Sequence, residues 1–375
     1  MQRQYPTLNV NLDILRANAK AMCRLCADRG VDVAGVIKLS DGDLQIARAY
    51  ADGGCRQIAS SRTVHLERIK KAMPDLQTML IRIPMASEIE NVVRWCDLSL
   101  NSEESILRLL DREAERQGKT HGVVLMQDVG DRREGIFGRE RLLDAALLVE
   151  HELEHLRLAG VGASFACVSG VRPDWDNLSE LAESAEPIEK AIGRKLDIVS
   201  GGSSISLTLL AAGKPIPEKI NHVRIGGAIA NPMGMRENRG VTIEGLREDA
   251  FTLTAEIVEV GEKPSAPGGP RKNWSGQIVE FEDRGVRKRA IAALGSQDIG
   301  NAMQLIPLEK GVSVLAGSSD HTVLDVTDSE REWAPGDLID FRMYYMPMLY
   351  CFATRHVQVE YSGRQWKGYC SYGSK

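Results

Sequence analysis

Lys38 closes a short apolar run, Val33 to Ile37, in the segment VAGVIKLSDGD. An amine carried to the end of a buried strand has left bulk water, which lowers its pKa and makes it a nucleophile able to hold an aldehyde cofactor as a Schiff base. The plain alternative is a lysine that merely begins a loop. Two later turns bear on the choice. SGGSSISL carries Ser203 and Ser204, and RIGGAIAN carries Arg224, Gly226 and Gly227. Small residues there let an anion approach backbone N–H groups closely, as a phosphate requires. Arg133, in DVGDRREGIF, offers a planar fork of donors suited to a carboxylate; its plain reading is an ion pair at a rim.

Other combinations lead elsewhere. HELEH, His151 to His155, is a formal match to a zinc-hydrolase motif, but the chain runs from it straight into a predicted strand and no third ligand follows. A zinc hydrolase is therefore a distant alternative, and no metal site is expected. The seven cysteines are odd in number and scattered, so no disulfide framework is expected. Cys23 and Cys26 form a C-x-x-C inside a helical pattern and read as packing on a helix face.

These residues need elements to position them. From residue 12 to about 235, helical patterns alternate with apolar runs, the signature of βαβ units. The runs are Val33–Ile37, Gln57–Ser60, Thr78–Ile83, Leu98–Leu100, Gly122–Gln127, Leu158–Ser164, Asp197–Ser200 and His222–Ile225. Eight such runs predict a closed (β/α)8 barrel of α/β class, with chemistry at the C-terminal strand ends where Lys38, Arg133, Ser164, Ser203, Ser204 and Arg224 fall. After about 240, FTLTAEIVEV, SGQIVEFED, KRAIAALG, GVSVLAG, HTVLDVTD and LIDFRMYYM read as short strands between turns. The expected division is a barrel over 1–237, with a first strand at about 5–11 that joins the other unit, and a mainly β domain over 238–375. A net charge of −5 from 47 basic and 52 acidic residues, without long runs of one sign, speaks against nucleic acid or a membrane surface. No secretory segment or spanning stretch is read, so a cytoplasmic protein is expected.

The pieces YPTLNVNLDILRAN, VIKLSDGD, RIPMASEIE, DVGDRREGIF, SGGSSISL, INHVRIGGAI, ALGSQDIG, GSSDHTVLDV and PGD, in this order, resemble from end to end the alanine racemase-like fold type III enzymes that use pyridoxal 5′-phosphate. Within them the chain looks most like the ornithine and other amino-acid racemases. The resemblance implies Lys38 as the cofactor lysine, and Ser203, Ser204, Gly226 and Gly227 beside the phosphate. It also implies Arg224 facing the pyridine nitrogen, and Arg133 near the phenolic oxygen and the substrate carboxylate. A homodimer with shared active sites is implied as well. Tyr345 and Tyr361 are further candidates for phosphate or interface contacts, Tyr345 being counted with the cofactor-binding set; in a β domain both otherwise read as core.

The departures point away from alanine. The tyrosine of the alanine racemase Gly-Tyr-Ala-Asp-Gly motif is absent, and the stretch reads Gly295-Ser296-Gln297-Asp298. Ser164 stands where those enzymes carry a stacking imidazole, and Met126 where they carry a modified lysine. A serine hydroxyl is no ready base unaided, so Ser296, Asp320 and His321 are candidates for the second acid–base group. Asp298, Ser319 and Asp320 are candidates to bind the distal amine of a basic substrate. Racemisation of ornithine or another basic amino acid is the expected activity. A decarboxylase or a D-amino-acid aldolase on the same fold is the alternative, although the aldolase's Arg-Pro-His-x-Lys setting is absent around Lys38.

Overall fold

The computed structural model describes residues 4–269, 278 and 282–368. They form two compact units: Leu12–Ala250 with the segment from Gly363, and Phe251–Ser362 with the N-terminal strand. That strand, β1 (Thr7–Asn11), runs antiparallel to β10 and parallel to β16 of the second unit.

The first unit is a closed parallel barrel of eight strands: β2 (Asp32–Val36), β3 (Gln57–Ser60), β4 (Gln77–Leu80), β5 (Leu98–Asn101), β6 (His121–Gln127), β7 (Leu156–Ala163), β8 (Ile198–Ser203) and β9 (His222–Ile225). Strands covered by helices outside and by side chains inside are apolar on both faces, so they read as continuous runs rather than alternations. All seven residues of β6 are buried. Ala34, Val36, Ala59, Met79, Leu100, Val124, Met126 and Ile198 fill the interior. Gly160 is required for closure: a Cβ there would lie 1.8 Å from the Ile198 carbonyl oxygen on β8.

Outside lie α1 (Leu12–Ala27), α2 (Leu44–Asp52), α3 (Thr63–Ala72), α4 (Ile89–Trp95), α5 (Glu104–Gln117), α6 (Arg139–His151) and α7 (Trp175–Ile192), then three short helices, α8 (Leu207–Ala211), α9 (Gly227–Ala230) and α10 (Met233–Arg239). The division expected at 237 falls inside α10, and the chain enters the second unit only at Phe251. Between them, the Arg247 backbone is held to Asn18 of α1, which keeps this stretch with the barrel.

The second unit is an antiparallel sheet ordered β12–β15–β10–β11–β14–β13. Its strands are β10 (Phe251–Pro264), β11 (Val286–Ala292), β12 (Leu305–Pro307), β13 (Ser313–Gly317), β14 (Thr322–Asp325), β15 (Leu338–Met343) and β16 (Gln358–Ser362), with α11 (Ser296–Ile299) and α12 (Tyr345–Ala353) between them. The strand expected through MYYM stops at Met343, and α12 begins two residues later. The strand read in SGQIVEFED lies outside the described residues, Ile278, Glu282 and Asp283 excepted. Among the described residues no helix is long and apolar enough to cross a membrane.

Candidate active site

Lys38 leaves the end of β2 in a single tight turn, Lys38–Ser40, closed by the Ser40 hydroxyl on the Ile37 carbonyl at 3.1 Å. Asp41 follows with φ +49°, and its carboxylate accepts from His65 Nε2 of α3 at 3.0 Å. His65 Nδ1 in turn meets the Ser60 hydroxyl at the end of β3 at 2.8 Å. The turn is thus tied to its neighbouring strand and helix, which fixes where the amine can reach. Lys38 stays open at the barrel mouth, yet burial lowers its pKa. Four further groups act on the amine: Cys167 and Glu134 raise its pKa, and Arg133 and Arg224 lower it.

Arg224, on β9, is only 5% exposed. Its Nη1 donates to the Ser200 hydroxyl at 2.5 Å, and its Nη2 donates to the Ala163 carbonyl at 2.9 Å and the Ser164 hydroxyl at 3.4 Å. A buried cation is tolerated where acceptors replace its lost water, and this one has three. Burial lowers its pKa to about 10, so the guanidinium is still charged at neutral pH. His222, two residues back on the same strand face, meets Ser200 at 2.8 Å. Burial, and then Arg224, push its pKa to about 3, so it is neutral; its Nε2 has no hydrogen-bond partner among the described residues.

The excursion after β6 brings the second arginine. Asp128 accepts from the backbone of Gly130 and Arg132, and Ile136 N–H returns to the Met126 carbonyl at 2.7 Å, so residues 128–135 form a closed loop. At its tip Arg133 is held by Glu134 through both Nε and Nη2, and Glu134 also accepts from the Ser164 hydroxyl at 2.7 Å. A continuous polar chain therefore runs His222–Ser200–Arg224–Ser164–Glu134–Arg133 across the mouth. Asp131 secures the next loop, accepting from the backbone of Cys167 at 3.2 Å and from the Ser169 hydroxyl at 2.9 Å.

The turns after β8 and β9 lie side by side, with Ser203 in register with Arg224 and the Ala228 N–H donating to the Ser204 hydroxyl at 3.4 Å. Gly226 permits the last strand to close on the first: a Cβ there would lie 2.7 Å from the Val36 carbonyl oxygen. Ser203, Ser204, Gly226 and Gly227 all remain half-buried.

In the second unit Ser296, Asp298, Ser319, Asp320 and His321 gather at one place, whereas Tyr361 lies on β16. The backbone of Ser296 and Gln297 donates to the carbonyls of Ser318 and Ser319, at 2.9 and 3.1 Å. A Cβ on Gly295 would lie 2.2 Å from the Ser319 carbonyl oxygen, so only glycine allows this approach. Asp320 accepts from Gln297 Nε2 at 2.9 Å and from the Ser319 hydroxyl at 2.8 Å. Asp298 caps its own short helix by accepting from the Gly295 N–H at 3.0 Å. The Ser318–His321 turn, Asp320 and His321 included, is exposed. Tyr345 opens α12 half-buried, and burial raises the pKa of its phenol.

Residues 10–231, more than half of the chain, match the family model described as alanine racemase, N-terminal domain. The chain belongs to the alanine racemase family. Two curated members match it nearly end to end. An ornithine racemase of Acetoanaerobium sticklandii is 36% identical over 359 residues, 95% of this chain and 99% of the relative. A lysine racemase of Thermotoga maritima is 37% identical over 358 residues, 95% and 98% of the two chains. Among solved structures, an alanine racemase of Clostridium difficile 630 superposes with a TM-score of 0.75 at 17% identity, over 96% of this chain and 97% of the other. A D-threonine aldolase of Filomicrobium marinum gives 0.68 at 15%, over 92% and 88%. The two structural likenesses speak for the fold alone.

For this family member the sequence reading missed Glu134 and Ser200, each of which holds an arginine named above, and His222, which meets Ser200. Glu134 adjoins Arg133 in the chain, and His222 precedes Arg224 by one strand period; each was visible as a neighbour but carried no motif. HELEH loses its geometry here, because α6 ends at His151 and His155 lies beyond the helix.

Proposed function

We propose that this chain is a pyridoxal 5′-phosphate-dependent racemase of basic amino acids, ornithine or lysine. The observation that carries the proposal is the setting of Lys38: an amine with a burial-lowered pKa at a barrel mouth, facing Arg224, Arg133 and Glu134. The near end-to-end match to an ornithine and a lysine racemase supports the substrate class.

The residues fit the cofactor. Lys38 offers an amine for its aldehyde, and Arg224 offers a buried cation for its ring nitrogen. Ser203, Ser204, Gly226 and Gly227 offer adjoining half-buried turns of small residues for its phosphate. When bound, the cofactor supplies an electron-withdrawing ring that acidifies the Cα–H of an amino acid. Arg224 is held by three acceptors and keeps its proton at neutral pH, so it donates a hydrogen bond without surrendering a full charge. Proton return at Cα is thereby favoured over transfer elsewhere. The Nζ of Lys38 removes and returns the proton on its own face, and Arg133 orients the substrate carboxylate.

A two-base racemase needs a second group on the opposite face. We assign it to the cluster of Ser296, Asp320 and His321, with Asp298 and Ser319 beside it, and we propose a homodimer in which these groups complete a shared site, as the family resemblance implies. Tyr345 remains a proposed phosphate contact.

The test is incubation of the protein and pyridoxal 5′-phosphate with single L-amino acids in D2O. The D-enantiomer carrying deuterium at Cα is expected from ornithine and lysine, with kcat/KM at least about tenfold above that for alanine. Carbon dioxide or aldehyde release instead would assign a decarboxylase or an aldolase.

Glu134→Gln keeps the shape and removes the charge that fixes both Arg133 and Ser164. The expected result is a fall in kcat/KM of about tenfold, mostly in KM, because the carboxylate-binding fork loses its orientation. An unchanged KM in steady-state assays would take Glu134 out of substrate binding.

A further inference from the structure

The barrel holds a second reactive pair that the proposed reaction does not use. Cys23, on the fourth turn of α1, and Cys55, in the turn between α2 and β3, place their sulfurs 3.8 Å apart. Cys23 is half-buried and Cys55 is buried. The C-x-x-C of the sequence is therefore the wrong pairing: Cys23 faces a cysteine 32 positions later, while Cys26, a turn further along the helix, is buried. The local backbone brings this about. A Cβ on Gly53 would lie 2.4 Å from the Ala19 Cβ, so glycine lets the turn press against α1. Gly54 adopts φ +103°, which leaves the residue before Cys55 a glycine by conformation.

We propose that Cys23 and Cys55 are a thiol–disulfide site, oxidised by a low-molecular-weight disulfide to a cross-link that staples α1 to the start of β3. The roles of the two sulfurs differ. The contact with Cys55 lowers the pKa of Cys23, and that same contact, with burial, raises the pKa of Cys55. Cys23 is thus the accessible attacking thiolate and Cys55 the resolving thiol. In the first step the Cys23 thiolate attacks one sulfur of the oxidant, forming a mixed disulfide and expelling one thiolate. In the second, Cys55 loses its proton and attacks the Cys23 sulfur, expelling the other. Two protein thiols are oxidised and one disulfide is reduced to two thiols, so electrons and protons balance. Bonding requires the sulfurs to close from 3.8 Å to about 2.0 Å, within reach of side-chain rotation and a small shift of the glycine turn. Cys55 lies just before β3, whereas Lys38 lies just after β2. In a parallel barrel these are opposite ends, so the staple leaves the mouth untouched.

The full-length protein is incubated with glutathione disulfide, quenched in acid and mapped by non-reducing peptide mass spectrometry, with thermal melting alongside. A peptide joining Cys23 to Cys55 is expected. It should be accompanied by a melting temperature raised by about 5 °C, reversed by reductant. Cys26→Ser keeps the link; Cys55→Ser stops at a glutathionyl group on Cys23; Cys23→Ser shows neither link nor melting shift. A link from Cys23 to Cys26, a mixed disulfide that persists on Cys23 of the unaltered protein, or thiols that stay reduced would each overturn the proposal.

Discussion

Lys38→Met should lower kcat for racemisation by about 10⁴-fold or more while leaving the barrel folded. The side chain is nearly the same length, so what is lost is the one nitrogen proposed both to anchor the cofactor and to carry the Cα proton. Borohydride treatment of the unaltered protein with pyridoxal 5′-phosphate should fix the cofactor's mass on the peptide bearing Lys38, and on no peptide of the variant. The same substitution reads out the electrostatics of the mouth without any cofactor. Burial lowers the amine's pKa from its ordinary value of 10.5, so the folded chain penalises the protonated form. Below the folded pKa both states are protonated and the whole penalty is present. As pH climbs from there toward 10.5, the folded state sheds its proton first and stability rises. Cofactor-free Lys38→Met should therefore melt at or above the unaltered protein at neutral pH, and lose that advantage in alkali. An advantage that grew with pH would mean that the amine is stabilised in its charged form, and Lys38 would be an ordinary rim lysine.

The barrel is legible because its strands are buried on both faces. Gln57–Ser60 and His222–Ile225 coincide with the runs read in the sequence, and the other six differ only at their ends. Elements whose local pattern is too short or too uniform are not legible. Helix α4 has seven residues, too few to display a helical period, and went unread. Helix α12 is apolar almost all round, so the strand read as LIDFRMYYM ran on through Tyr344, Tyr345 and Met346, the last two of which open the helix. The site shows the same division. Lys38 and Arg224 stand at strand ends, where a parallel barrel focuses chemistry, and could be named from position. Glu134 and Ser200 earn their places through contacts made across loops and strands, which no local pattern encodes. Asp298 shows the converse: it was named as a candidate for a distal amine, and one of its oxygens is committed to capping its own turn.

Arg224→Gln should cost about 10²–10³-fold in kcat, and its companion effect on Lys38 distinguishes loss of charge from loss of structure. Glutamine can still hydrogen-bond within the pocket that Ser200, Ser164 and the Ala163 carbonyl form, and all three are neutral groups. No counter-charge is stranded by the change, so the fold should survive with a melting temperature shifted by only a few degrees. What disappears is a fully buried positive charge that lowers the pKa of Lys38. Without it the amine should become more basic, because one of the charges that lowers its pKa is gone. In cofactor-free protein, amine-directed labelling of Lys38 should then need a higher pH to reach the same rate. Glu134 acts with the opposite sign, raising the pKa of Lys38, so Glu134→Gln should move the same labelling curve toward lower pH. General loosening of the mouth would hydrate the amine and shift both variants upward together. Opposite displacements would instead mean that two fixed charges, one on β9 and one on the loop after β6, jointly set the basicity of the group on which the proposed chemistry turns.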